Sequence, residues 1–194
     1  RIYEDFPKDR ITQFDGQFWH VNEFGDMTFY GVWGSGSDDI FAVGERGAIF
    51  HFDGTEWTVM SAEGPFVVDM QAVWGTAPDN VYIGGAFAQI LHYDGSEVRL
   101  EHQLINTNVF FRSIWGASAT DVYAVGGDTN SREGAIVHYD GTSWETVFAS
   151  LQRGFWSVSG SSTKDVFAVG ALGTILHFDG VSWLEMESPT DEDL

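Results

Sequence analysis

The sequence predicts an all-β fold in which one unit of about 40 residues is repeated. A seven-residue phrase recurs as HFDGTEW, HYDGSEV, HYDGTSW and HFDGVSW, with a weaker first copy, QFDGQFW. The apolar runs around these phrases are short and rich in Val, Ile, Phe and Tyr, which is typical of strands. No apolar stripe has helical spacing, so we expect helices to be almost absent.

The repeat runs along the whole chain. The glycines of the DG pairs, at positions 16, 54, 95, 141 and 180, lie 38, 41, 46 and 39 residues apart. An active site is needed once, whereas evenly spaced copies of a phrase indicate a building unit. The repeated His, Asp and Trp residues are therefore interpreted first as parts of a scaffold.

Each unit contains four strand-like runs. In the second full unit they are MQAVWG at 70–75, NVYIGG at 80–85, QILHYDG at 89–95 and SEVRLEH at 96–102. The DG step between the third and fourth runs predicts a two-residue hairpin of type I′, because Asp-Gly tolerates positive φ at both central positions. The second and third runs are apolar on both faces, so each sheet must be covered on two sides.

Four-stranded sheets that repeat every ~40 residues and cover one another predict a β-propeller. We expect a single propeller domain over residues 1–194. Counting back from Gly16, Ile2 and Tyr3 take the place of a second strand, so the first blade lacks its innermost strand. The expected ranges are about 1–22 for this partial blade, 23–61, 62–102, 103–150 and 151–188 for four complete blades, and 189–194 for an acidic tail.

An incomplete ring leaves apolar blade faces and strand edges uncovered. We therefore expect a segment of a larger ring, with association through its open edges with another chain or with the rest of a longer parent chain. The first residue is Arg1 rather than Met. We interpret the chain as a processed or excised piece.

The succession WG, DVYAVG and G-x-I-x-HYDG-x-x-W resembles the propeller repeats of large bacterial proteins that are often secreted or attached to the cell surface. In outline it is similar to kelch repeats and, more loosely, to the Asp-box repeats of sialidase-like propellers, although the Asp-box places a residue between Asp and Gly. The resemblance covers nearly the whole chain. It implies architecture, and an extracellular, cell-surface or periplasmic location, but no particular activity.

Composition narrows the classes of partner. The chain has 29 acidic and 9 basic residues, for a net charge of -20, which argues against binding to nucleic acid. No apolar stretch approaches the ~20 residues of a membrane helix, so we expect no membrane insertion. The absence of cysteine excludes disulfides and thiolate zinc sites. No nucleotide-binding or metalloprotease motif occurs, and we expect neither cofactor nor metal.

Binding residues are expected where the repeats differ. In a propeller, the connections between strands 2 and 3 and between consecutive blades share one end of the ring, and here these segments vary. One position near the channel mouth carries four different side chains in the four blades, and most arginines map to the same end. The candidates are Tyr30, Arg46, Gln71, Phe87, Asn108, Arg112, Arg132, Arg153 and Trp156.

The repeated aromatic and imidazole groups are expected to be structural. The four histidines share one register and would lie in different blades, too far apart for a common metal. The tryptophans that follow the DG pair are expected to pack between neighbouring units. This set comprises His51, His92, His138, His177, Trp57, Trp144 and Trp183.

These residues favour a non-catalytic module that presents its variable loops to a protein or glycan. A carboxylate-bearing glycan or an acidic peptide would suit arginines beside aromatic rings. Two alternatives stay open. A sialidase-like or other carbohydrate-active enzyme, as the Asp-box resemblance implies, could use Arg112 and Arg153 around a sugar carboxylate and Tyr30 as nucleophile. A structural spacer is the other.

Overall fold

The computed structural model describes residues 10–61, 68–128, 130 and 132–194, and in this part of the chain it is all-β. Only two short 3-10 turns, Glu45–Gly47 and Ala86–Ala88, interrupt the strands. The strands are β1 (Arg10–Phe14), β2 (Trp19–Glu23), β3 (Phe29–Gly36), β4 (Asp39–Gly44), β5 (Ile49–Phe52), β6 (Trp57–Val59), β7 (Met70–Ala77), β8 (Asn80–Gly85), β9 (Gln89–Tyr93), β10 (Val98–Gln103), β11 (Phe110–Ser118), β12 (Asp121–Gly127), β13 (Gly134–Tyr139), β14 (Trp144–Ser150), β15 (Phe155–Ser162), β16 (Asp165–Gly170), β17 (Ile175–Phe178) and β18 (Trp183–Glu185).

The strands form four antiparallel sheets of four strands and one sheet of two, each in simple meander order. We name β3–β6 blade 1, β7–β10 blade 2, β11–β14 blade 3, β15–β18 blade 4, and the hairpin β1–β2 the partial blade. The first strands β3, β7, β11 and β15 lie beside one another as the inner strands. The predicted fold, four complete blades and one incomplete blade, is confirmed. Ile2 and Tyr3, assigned to a second strand from the sequence, lie outside the described residues.

Apolar side chains between consecutive blades form the core. Each blade has a trailing face, directed at the next blade along the chain, and a leading face, directed at the previous one. Between blades 1 and 2, Phe41, Val43 and Ile49 pack against Met70 and Val81, and all five are fully buried. Similar clusters lie between blades 2 and 3 and between blades 3 and 4. The double-sided apolar pattern of the second and third strands arises from this arrangement.

The tryptophans of the WG steps fix the register of neighbouring inner strands. A Cβ placed on Gly75, Gly116 or Gly160 would stand 2.9, 2.5 or 2.6 Å from Cη2 of the tryptophan in the preceding blade, namely Trp33, Trp74 and Trp115 in that order. Any side chain at these glycines would therefore displace an indole ring. In blade 4 the corresponding position is Ser159, and its side chain is exposed.

The repeated histidines tie the third strand of each blade to the start of its second strand. The ring Nε2 atoms of His51, His138 and His177 lie 2.7, 2.6 and 2.8 Å from Oδ1 of Asp39, Asp121 and Asp165. His92 makes the same contact with Asn80, at 2.7 Å. Each imidazole also stacks on the aromatic ring beside it in the second strand, with centroids 4.3–4.6 Å apart.

The repeat tryptophans after the DG pairs pack against the preceding blade. Trp144 is buried against Tyr82, and Trp183 makes an edge contact with Tyr123. Trp57 contacts Phe24, which follows the partial blade. In blade 2 the position is Val98, which is likewise buried.

The DG turns differ from the type I′ prediction, which was wrong. Only the glycine has positive φ, about 90° in every copy, and no aspartate of these turns does. The reason is the aspartate side chain: Asp140 Oδ1 accepts hydrogen bonds from the backbone N–H groups of Thr142 and Ser143, at 2.8 and 2.9 Å. Asp15, Asp53, Asp94 and Asp179 each bond the N–H groups two and three residues ahead in the same way. A side-chain cap of this kind fixes the aspartate outside the left-handed region.

These hydrogen bonds stabilise the ionised carboxylates. The backbone N–H groups of Ser143 and Thr142 lower the pKa of Asp140 below its ordinary value of 3.8. His20 and two backbone N–H groups lower the pKa of Asp15 to about 2. A carboxyl group whose pKa is lower in the folded state stabilises the fold above its unfolded pKa, and this contribution disappears as the pH falls through the folded pKa.

We expect Asp140→Ala to lower the melting temperature at pH 7, and we expect the gap from wild type to shrink as the pH falls below 3.8. Thermal unfolding followed by circular dichroism across this range measures the effect. Asp140→Asn keeps an acceptor oxygen and serves as the control, with a smaller loss at pH 7. A gap that widened on acidification would contradict the assignment.

We expect Trp115→Ala to destabilise the chain by about 2–4 kcal/mol, because it removes the ring that covers Gly160 between blades 3 and 4. Trp19→Ala, at a side chain that is 68% exposed, is the matched control and should change stability by less than about 0.5 kcal/mol. Denaturant unfolding of both variants provides the comparison. Equal losses would show that the covering of glycine contributes nothing.

Candidate functional site

The two ends of the arc have different chemistry. At one end, here called the uniform end, the DG turns pack on the turns between the first and second strands, where a Cβ on Gly54, Gly95, Gly141 or Gly180 would contact Asp38, Asp79, Thr120 or Lys164. At the other end, here called the variable end, the turns between the second and third strands bond the connections between blades. The uniform end repeats one contact in each complete blade, whereas the variable end repeats backbone hydrogen bonds between residues whose side chains differ from blade to blade.

Four residues at the variable end combine an exposed side chain with a strained, left-handed backbone. Arg46, Phe87, Arg132 and Leu172 occupy the turns between the second and third strands of the four blades, with φ of 57°, 55°, 62° and 56°. All four side chains are exposed. Left-handed backbone costs a non-glycine residue about 1 kcal/mol or more. A glycine would avoid that cost. These four positions instead carry exposed side chains on left-handed backbone.

The predicted position at the channel mouth is occupied by Tyr30, Gln71, Arg112 and Trp156 on successive inner strands. Three of them form a row across blades 2, 3 and 4: Arg112 Nη1 donates to Gln71 Oε1 at 3.2 Å, and its guanidinium lies 4.9 Å from the centroid of the Trp156 ring. Phe110 lies on another side of the same guanidinium, 5.7 Å away. Tyr30 instead donates a hydrogen bond to Glu45, at 3.1 Å.

Arg112 is the most unusual charged group at this end. Its Nε is buried and has no hydrogen-bond partner within the described part of the chain. Loss of hydration lowers the pKa of Arg112, and the negative charge of Asp128 partly offsets this effect. A planar cation held between aromatic rings is suited to carboxylates, which it can bind through two parallel hydrogen bonds.

Two depressions lie at the variable end, and Trp156 of the row lines one of them. A groove of about 550 Å³ between blades 2 and 3 brings together the candidates Phe87 and Asn108 with Ile105, Thr107 and Glu133. A smaller cavity of about 240 Å³ between blades 3 and 4 is lined by Arg132, Trp156 and Leu172, together with Asp128 and Asp193. The variable end therefore offers two adjacent recesses with aromatic, cationic and amide groups.

The C-terminal residues fold onto the variable end, which sequence reasoning missed. Asp193 Oδ1 accepts a hydrogen bond from the backbone N–H of Leu172 at 3.1 Å. Asp69 does the same for Arg46 between blades 1 and 2, at 3.0 Å. The signal available in the sequence was this acidic residue after the fourth strand of both blades. The tail expected at 189–194 thus caps a turn of blade 4, and Asp193 lines the smaller cavity.

The remaining arginines do not converge on Arg112. Arg153 forms an ion pair with Glu185 on the outermost strand β18, and Arg46 donates to the backbone oxygen of Asp26 at 3.4 Å. Arg112 and Arg153, which the sialidase-like alternative would use together around a sugar carboxylate, thus have different partners. Burial and the neighbouring Glu45 raise the pKa of Tyr30.

No group of three or more His, Asp and Glu residues among the described residues is arranged to hold a metal ion. No helix in the described ranges is long and apolar enough to cross a membrane.

We expect Arg46→Gly to be more stable than Arg46→Ala by about 1 kcal/mol, because alanine keeps the cost of the left-handed backbone and glycine does not. At Arg99, an exposed position in the extended strand β10, the order should be reversed. Chemical denaturation measures the free energies of unfolding of the four variants, Gly and Ala at each of the two positions. The same order at both sites would refute the claim of backbone strain.

Comparison with known proteins identifies the fold only. No protein-family model matches the sequence, and no curated protein matches it significantly. Among solved structures, the computationally designed Ika8 protein is similar with a TM-score of 0.66 and 12% identity, over 90% of this chain and 57% of that one. The WD40 β-propeller domain of Doa1 is similar with a TM-score of 0.64 and 14% identity, over 87% and 57%. Chaetomium thermophilum Sqt1, bound to the N-terminus of the ribosomal protein L10, is similar with a TM-score of 0.65 and 14% identity, over 84% of this chain and 49% of that one.

The chain thus spans about half the length of these structures. The likeness to kelch and Asp-box repeats stays a resemblance of sequence pattern. What these comparisons establish is that the chain folds as an arc of a β-propeller.

Proposed function

We propose that the chain is a non-catalytic binding module that holds a segment of a protein partner on its variable end. The observation that carries the proposal is the row of Gln71, Arg112 and Trp156, in which a half-buried guanidinium is held against an indole ring across three blades. The row spans the inner strands of blades 2, 3 and 4, so a bound segment could contact all three blades at once.

The chemistry of the row favours a partner segment with a carboxylate beside an apolar side chain. The guanidinium of Arg112 would bind the carboxylate, and Trp156 and Phe87 would contact the apolar group. Of the 9 basic residues, Arg46, Arg112, Arg132 and Arg153 lie at this end, so it offers cations to an acidic partner segment. Sqt1, which has the same fold, is bound to a protein N-terminus, and this supports a protein segment over a glycan.

The repeat resemblance supports a setting in a larger secreted or surface-attached bacterial protein. A carboxylate-bearing glycan is the alternative ligand for the same row. A spacer role would require no ligand at the variable end.

A display library of random peptides tests the proposal. We expect the wild-type chain to enrich peptides with acidic side chains, and we expect Arg112→Ala and Trp156→Ala to weaken the binding of those peptides at least about tenfold, as the loss of a buried charged or aromatic contact does. Arg112→Lys keeps the charge but not the planar stack and should also weaken binding.

Two variants control for charge and for ring loss. Lys164→Ala removes a cation at the uniform end, and Trp19→Ala removes an exposed indole of the partial blade; both should leave the affinity unchanged. No enrichment by the wild type, or equal binding by Arg112→Ala, would exclude the proposed role of the row.

One contact favours the enzymatic alternative. Tyr30 and Glu45 form the kind of hydrogen-bonded Tyr–Glu pair that the sialidase resemblance implies for a nucleophile. Hydrolysis of a fluorogenic sialoside, lost in Tyr30→Phe, would support that alternative, and absence of hydrolysis would remove it.

A further inference from the structure

The partial blade and the connection after it cover the second and third strands of blade 1, but among the described residues nothing covers the leading face of its inner strand as in the other complete blades. Val32 occupies the same register position as Val73, Ile114 and Val158, of which Ile114 and Val158 are buried. Val32 is 69% exposed. Gly34, in register with Gly75, Gly116 and Gly160, is also exposed, and no described tryptophan covers it.

The three complete interfaces define what covers this face elsewhere. A tryptophan lies over the glycine, and a small residue two positions before it meets the Val or Ile. The small residues are Gly31, Ala72 and Ser113, which meet Val73, Ile114 and Val158. One alternating strand face, with a small residue and then a tryptophan, therefore makes both contacts.

We infer that the leading face of blade 1 binds an extended strand with a small residue two positions before a tryptophan. The tryptophan would lie over Gly34 and the small residue over Val32, as in the three interfaces already formed. The proposed contact continues the packing seen at the three formed interfaces. Blade 1 has the equivalent receiving residues, and no strand of the described residues supplies the donor.

The tryptophans of this chain are already used in other places. Trp33, Trp74 and Trp115 cover the next blade, and Trp19, Trp57, Trp144 and Trp183 lie on fourth strands. Trp156 contacts Arg112. Ser159 of blade 4 takes the place of the covering tryptophan, so blade 4 of a second copy would offer no indole to Gly34. The observations thus favour a strand of another protein segment over a second copy of this chain.

A labelled peptide with the sequence of β7, MQAVWGTA, is the probe, and fluorescence anisotropy measures its binding to the full chain. We expect saturable binding by the wild type. Val32→Glu should weaken it by about tenfold or more, since a carboxylate would then be buried against the strand. Val59→Glu, at a position that is 68% exposed on β6 of the same blade, is the matched control and should bind as the wild type does.

A second peptide, MQAVAGTA, separates the indole contact from general adhesion of strands. It should bind at least about tenfold more weakly to the wild type. Absence of binding of the first peptide, equal binding of both peptides, or equal binding by Val32→Glu would overturn the inference. So would light scattering that showed a wild-type dimer abolished by Val32→Glu and unaffected by the peptide, because a second copy would then occupy the face. These outcomes do not depend on the variable end.

Discussion

The fold depends on the burial of each sheet between its two neighbours. A four-stranded sheet with apolar residues on both faces is not stable alone in water, so the chain must place a copy on each side. The indole of one inner strand rests on the bare backbone of a glycine in the next. This contact sets the spacing and the register of the blades, and the histidine bonds and capped turns hold each blade in the shape that the contact requires.

That constraint determines where sequence can vary. Residues between blades repeat because they make the same contact at three interfaces, and residues at the uniform end repeat because each of the four complete blades makes the same turn contact. The connections at the variable end bond one another through backbone groups, and the side chains of Arg46, Phe87, Arg132 and Leu172 are exposed, so these residues can differ without disturbing the core. The binding row is a product of this freedom: the inner strands bring Gln71, Arg112 and Trp156 into one line, and nothing in the packing of the blades dictates which side chains stand there.

Much of the architecture could be predicted from the sequence, since period and alternation are local patterns. The strands, the partial blade and the shared register of the histidines follow from them. The type of the DG turns could not be predicted, because the Asp side chain binds backbone N–H groups and thereby opposes the type I′ geometry that Asp-Gly usually favours. The pairing of Arg112 with Gln71 and Trp156 depends on the conformation of the long Arg112 side chain, which the sequence pattern does not determine. Asp69 and Asp193 both follow a fourth strand, but the turn that each of them caps is not shown by the sequence pattern.

In the described part of the chain, the main packing contacts link each blade to the blade before it and the blade after it. Stability in such an array is a sum of blade terms and nearest-neighbour terms, as in a one-dimensional chain of coupled units. Among the described residues, blade 4 packs against blade 3 alone, so we expect it to open at lower free energy than blades packed on both faces. Amide exchange would therefore be graded along the chain, slowest in blades 2 and 3, and a mechanical load applied at one end would peel the arc apart one sheet at a time.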